Sequence, residues 1–143
     1  MRSLEILVVD DDDADAFMIS EALDGADQQT RVNRVADGRE ALDYLRRVQP
    51  YEDASRPDLI LLDLNMPRMD GRETLAAIKT DEALKAIPVV ILTTSGAAPD
   101  IEASYQHRAN AYVTKPFTLD DFESTVRTID RFYREVAILP PTQ

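Results

Sequence analysis

Acidic, hydroxyl and ammonium side chains stand at the carboxyl ends of short apolar runs in this sequence. Asp63 closes Leu59-Ile60-Leu61-Leu62, Asp10 and Asp11 close Ile6-Leu7-Val8-Val9, and Thr93 closes Pro88-Val89-Val90-Ile91-Leu92. Lys115 follows Ala111-Tyr112-Val113-Thr114. Each has a plain explanation alone: a capping or turn aspartate, or a solvated lysine. Together they describe a site. Three carboxylates in one crevice repel one another, and burying them unpaired raises their pKa values. A hard divalent cation relieves that conflict, and oxygen donors with no cysteine and a single histidine point to Mg2+. A carboxylate can also act as a nucleophile and form an aspartyl phosphate. The added negative charge then needs the cation, an ammonium group and hydroxyl or amide donors around the phosphoryl oxygens. Asp10, Asp11, Lys115 and Thr93 supply that set.

These groups meet only if the apolar runs lie side by side. Four consecutive aliphatic residues between Pro57 and the Pro67 to Gly71 turn signals predict a fully buried strand at 59–62. The runs at 6–9 and 88–92 have the same character and 111–114 is expected to form the last strand, whereas Thr30 to Val35 is sparsely apolar and suits a sheet edge. Helical spacing follows each run. Ala16, Ile19, Ala22, Leu23 and Ala26 mark the first helix, with Asp12 or Asp13 as its N-cap, and Ala41, Leu42 and Leu45 the second. Leu75, Ala76 and Ile78 mark the third, a weak stripe covers Asp100 to Gln106, and Leu119, Phe122, Val126, Ile129, Tyr133 and Val136 mark the last. Gln49 to Pro57, with two prolines and no periodicity, predicts a surface loop. Five strands alternating with five helices give an α/β fold, a parallel sheet covered on both faces.

The chain of 143 residues suits one domain with a core of its own. Without cysteine it has no disulfide framework or thiolate metal site. A net charge of −11 with scattered basic residues argues against nucleic acid as a direct partner. No apolar run reaches the ~20 residues of a membrane span, and no signal sequence is evident, so the expected location is cytoplasmic.

Four stretches in order, Val8-Val9-Asp10-Asp11, Asp63-Leu64-Asn65-Met66-Pro67-Arg68-Met69-Asp70-Gly71, Leu92-Thr93 and Tyr112-Val113-Thr114-Lys115-Pro116, resemble the response-regulator receiver domain of two-component signalling. The resemblance covers roughly residues 4 to 135. It implies a flavodoxin-like, doubly wound sheet of strand order 2-1-3-4-5, with 1–143 as one receiver domain, a core at about 4–137, a tail at 138–143 and no output domain. It implies Asp63 as phosphoacceptor, Asp10 and Asp11 as the acidic pair holding Mg2+ with Asp63, and the Asn65 backbone carbonyl as a further ligand. Thr93 and Lys115 would bind phosphoryl oxygens. Tyr112 would be the switch aromatic that follows Thr93 inward, although an edge-strand tyrosine with its hydroxyl in water fits the sequence as well. The Lys115-Pro116 bond is expected to be cis, making Pro116 the family's cis-proline. Arg108 stands where the family usually has a glycine before Ala109, and His107 beside it is expected to face solvent.

Asp12 to Ala16, Leu64 to Glu73 and Ile129 to Tyr133 resemble more narrowly the single-domain regulators that serve bacterial and cyanobacterial phytochrome kinases. That implies a sensor histidine kinase as partner, such as a phytochrome, and output through a phosphotransfer protein, a surface change or a homodimer. Phe132 stands about 60° off the last helix's stripe; with Ile138-Leu139 it is a candidate dimer surface, the alternative being that both simply cover the sheet edge. Two alternatives remain at this point: a receiver-like interaction module that needs no phosphate, and a metal-dependent phosphohydrolase. The hydrolase commonly needs a carboxylate two residues after its nucleophile, where this chain has Asn65.

Overall fold

Each apolar run becomes a strand because both of its faces find helices to pack against. In the computed structural model, which describes residues 3–23 and 30–141, the strands are β1 (Leu4–Val9), β2 (Thr30–Val35), β3 (Leu59–Leu62), β4 (Val89–Thr93) and β5 (Ala111–Thr114). They alternate with α1 (Asp13–Leu23), α2 (Gly38–Leu45), α3 (Gly71–Thr80), α4 (Ala98–Gln106) and α5 (Leu119–Arg131), and a π-helical turn, Phe132–Val136, continues the last helix. Every strand pairing is parallel, in the order β2-β1-β3-β4-β5. The sparsely apolar β2 lies at an edge, as its sequence predicts. Ala26 of the first helical stripe lies outside the described residues.

The period-2 alternation of strands sorts the core into two faces. Leu4, Ile6 and Val8 of β1, Leu59 and Leu61 of β3, and Val90 and Leu92 of β4 pack with Ile19 and Leu23 of α1 and Phe122, Val126 and Ile129 of α5. Leu7, Val9, Ile60, Leu62, Val89 and Ile91 pack on the opposite side with Ala41 and Leu42 of α2 and Leu75 and Ile78 of α3. Asp10 and Asp63 continue the first series one step past their strands, toward α1 and α5. The register keeps them level: Val9 pairs with Leu62, and the Asp63 N–H donates to the Val9 carbonyl at 3.0 Å.

Local signals set the loops around that strand end. Asp12 caps α1, accepting from the Asp15 N–H at 3.0 Å. Asp70 and Glu73 form a capping box at the start of α3. A Cβ on Gly71 would land on the Asp63 carbonyl, so only glycine lets α3 approach the end of β3 this closely.

Two expectations are revised. First, the Lys115-Pro116 bond is trans; among the described residues the cis X-Pro bond is Gln49-Pro50. Trans is the lower-energy isomer of an X-Pro bond by about 0.5–1 kcal/mol, and with it the Lys115 ammonium reaches Asp10, Asp15 and Asp63. Second, the apolar stripe of α5 is buried only in its middle: Leu119 is exposed at its start and Val136 within the π-helical turn, which changes the helical period. Phe132 is exposed as its offset predicts and Ile138 fully so, but Leu139 packs on the core.

The arginine in place of glycine leaves the turn after α4 intact. Arg108 adopts φ 73°, its N–H donates to the Tyr105 carbonyl and the Ala109 N–H to the Ser104 carbonyl, each at 2.9 Å. These are the paired bonds of a helix ending in a left-handed residue, with an arginine carrying the steric cost a glycine avoids. Arg108→Gly is expected to raise stability by about 0.5–1 kcal/mol in urea unfolding; an unchanged or lower midpoint would contradict the assignment.

Candidate functional site

The β-strand ends bring Asp10, Asp11 and Asp63 together, with carboxylate oxygens all within 4.8 Å of one another. Asp10 and Asp63 are buried and Asp11 is exposed, so the cluster opens to solvent on one side. One Asp63 oxygen, Oδ1, accepts from the Leu64 N–H at 2.7 Å; the Asn65 N–H lies at 3.5 Å, too long to contribute much. Asp10 Oδ1 accepts from the Asp12 N–H at 2.9 Å. The second oxygens turn to Lys115, whose Nζ stands 2.8 Å from Asp10 Oδ2 and 3.1 Å from Asp63 Oδ2.

The charge balance follows. Burial raises the Asp10 carboxyl above its usual range, and the hydrogen bonds from Lys115 and the Asp12 amide only partly offset this. Burial alone would lower Lys115, but its hydrogen bonds to Asp10 and Asp15, reinforced by the charges of Asp10 and Asp63, outweigh it and hold the ammonium above the ordinary lysine range. The site therefore carries a fixed cation beside carboxylates with room for another. Its all-oxygen donors suit a hard divalent ion.

Thr93 closes β4, the strand beside β3, and is marked by what it lacks. Its residue is fully buried, and its hydroxyl is a buried polar atom with no hydrogen-bond partner among the described residues. Such a group costs about 1–3 kcal/mol unless something bonds to it, and a phosphoryl oxygen is a suitable acceptor.

Behind Thr93 the chain is braced. The Tyr112 hydroxyl donates to the Ser95 carbonyl at 2.8 Å, so it is tied to the loop after β4 rather than left in water. Ser95 Oγ donates to Asp100 Oδ2 at 2.6 Å. Arg72 of α3 donates from Nε and Nη2 to Asp100 Oδ1, at 3.2 and 2.7 Å. His107 is exposed and takes no part.

The sequence reading missed three contributors. Asp15, in the first turn of α1, lies 2.7 Å from Lys115 Nζ. Arg34 of β2 donates from Nε and Nη2 to the Asp10 carbonyl, at 3.0 and 2.8 Å, and pairs with Asp13 at 2.9 Å. Arg68, in the loop after Asp63, donates from Nε and Nη2 to Asp37 Oδ2 at 2.8 and 2.6 Å. Asp37 Oδ1 in turn caps α2 through the Glu40 N–H at 2.9 Å.

Burial would push the Asp37 carboxyl up, but the Glu40 amide and Arg68 guanidinium hold it below the usual carboxylate range. A depressed folded pKa contributes stability present above the unfolded value near pH 4, lost as pH falls through the folded value. The unfolding midpoint should therefore drop on acidification below about pH 4, and drop less steeply in Asp37→Asn. Parallel pH profiles for the two proteins would contradict this.

Comparison with known proteins decides the family. The Response regulator receiver domain family matches residues 6–127. The chain belongs to that family. The receiver is 43% identical over 135 residues to the response regulator Rcp1 of Synechocystis sp., covering 94% of this chain and 92% of that one. The crystal structure of the phosphorylated cyanobacterial phytochrome response regulator RcpA matches it at a TM-score of 0.94 and 47% identity, covering 97% of this chain and 99% of that one. The Mn2+-bound form of Rcp1 matches at 0.91 and 42% identity, over 96% and 99%. The receiver is thus a signalling protein of the response-regulator type, and receivers of this kind work with histidine kinases. No helix among its described residues is long and apolar enough to cross a membrane.

Proposed function

We propose that this receiver accepts a phosphoryl group on Asp63 from the phosphohistidine of a sensor histidine kinase, in a Mg2+-dependent reaction in the cytoplasm. The observation that carries the proposal is the group of three carboxylates at the strand ends with the Lys115 ammonium bonded to Asp63, supported by an unpartnered Thr93 hydroxyl at the end of the neighbouring strand β4. An Asp63 carboxylate oxygen forms a bond to phosphorus as the phosphorus–nitrogen bond breaks, and the electron pair leaves with the imidazole. Mg2+, held by Asp10, Asp11, Asp63 and the Asn65 carbonyl, would supply positive charge to the transferring oxygens. Lys115 and the Thr93 hydroxyl take the remaining oxygens. Slow loss of the group to water at the same site returns the receiver to its starting state.

Thr93 moving toward the phosphoryl group would pull the loop that carries Ser95, and with it the Tyr112 hydroxyl. The signal leaves through the surface that Tyr112 borders, through a phosphotransfer protein, or through a homodimer built on the last helix and tail. Exposed Phe132 and Ile138 support the dimer. The phosphorylated state of RcpA and the Mn2+ bound by Rcp1 support both the chemistry and a phytochrome as the kinase. Residues 4–137 serve as the receiver unit, with 138–143 as its tail. The test is incubation with a phytochrome histidine kinase, ATP and Mg2+: wild type should gain label and Asp63→Asn none. Equal labelling of the two would refute the assignment.

A further inference from the structure

The Lys115 ammonium has three N–H donors, and each has its own carboxylate. Asp10 is 2.8 Å away, Asp15 2.7 Å and Asp63 3.1 Å. Two of these partners have other work. Asp10 and Asp63 belong, with Asp11, to the group of carboxylates able to hold a divalent cation, and Asp63 is the proposed acceptor. A doubly charged neighbour draws their oxygens away from the lysine. Asp15 is not in that group. It comes from α1 rather than from a strand end, and Asp12 fixes its backbone by accepting from its N–H. An acid in a first helical turn also favours the helix dipole. That role is met with the carboxylate in solvent, whereas here it reaches across to a lysine 100 residues away whose side chain is only 4% exposed.

We propose that Asp15 is a positioning residue for Lys115, a carboxylate outside the cation-binding group that holds the ammonium beside Asp63 once Asp10 and Asp63 turn to the cation. The inference rests on the cation and phosphoacceptor site proposed above. It assigns Asp15 a second effect: by occupying one donor, it limits how strongly Lys115 competes with the cation for Asp10 and Asp63.

Calorimetric titration with Mn2+ separates these roles in four proteins: wild type, Asp15→Asn, Lys115→Met and the double variant. Losing one negative charge weakens cation binding alike with or without the lysine. Freeing the ammonium to compete weakens it only where the lysine is present. Asp15→Asn should therefore lower affinity about tenfold in the wild-type background and about threefold less than that in the Lys115→Met background. Asp15→Glu should recover most of the loss. Circular dichroism confirms folding, and Lys115→Gln replaces Lys115→Met if the latter is unfolded. Equal losses in both backgrounds would overturn the positioning role while leaving the cation site standing. Failure of wild type to bind Mn2+ would overturn the cation site and this inference together.

Discussion

The Lys115→Met protein should be about 3 kcal/mol less stable than wild type without divalent cation, as read by urea unfolding. Lys115 has a side chain only 4% exposed, and it is an ion-pair partner of Asp10, Asp15 and Asp63 alike. Its removal leaves buried carboxylates facing one another with no cation between them. Added Mg2+ should restore much of the loss, because a ligand that binds only the folded state stabilises it by mass action. The loss should also depend on pH. The Asp10 carboxyl is already raised by burial, and losing the ammonium raises it further. A folded pKa above the unfolded one contributes stability present below the unfolded value and lost as pH rises through the folded value. The deficit should therefore be larger at pH 8 than at pH 5. A cation-free deficit below about 1 kcal/mol, or one independent of pH, would contradict the buried ion-pair arrangement.

Thr93→Val should act in the opposite direction on stability. The exchange keeps the branched shape while removing a buried hydroxyl that has no partner among the described residues, so the resting protein should gain about 1 kcal/mol. The same change removes the donor proposed for a phosphoryl oxygen. Beryllofluoride, a phosphoryl mimic, should still bind beside Asp63 but no longer shift the Tyr112 resonances in a nuclear magnetic resonance spectrum. Wild type should show that shift. A loss of stability in the variant would mean that the hydroxyl is bonded in the resting state, and a retained Tyr112 shift would mean that the loop moves without it.

The strand ends were the most legible part of the sequence because the physics is local. A short aliphatic run bounded by turn residues and closing on a polar side chain reads as a buried strand with its polar group at the rim. Asp10, Asp63, Thr93 and Lys115 followed from that rule, and the edge position of β2 followed from its poor apolar content. Asp15 was hidden because the rule looks only at strand ends, and an acid in a first helical turn already has an explanation in the helix dipole. Arg34 and the Asp37–Arg68 pair were hidden because their partners are set by the crossovers, and residues 24 or 31 apart carry no periodic signal. The trans Lys115-Pro116 bond was misjudged because tertiary context rather than the local residues sets the isomer; the expectation came from the resemblance. The last helix was read as one continuous stripe; Tyr133 still packs on the core as that stripe predicts, but Val136, at the end of the π-helical turn, is exposed.

The central claim is that Asp63 itself carries the phosphoryl group. Borohydride reduction of the phosphorylated protein converts an aspartyl phosphate to homoserine, and mass spectrometry of the resulting peptides locates it. The structure predicts homoserine at position 63 alone, absent when Mg2+ is withheld. Homoserine at position 10, 11 or 15 instead, or a label that survives without reduction at 63, would contradict it.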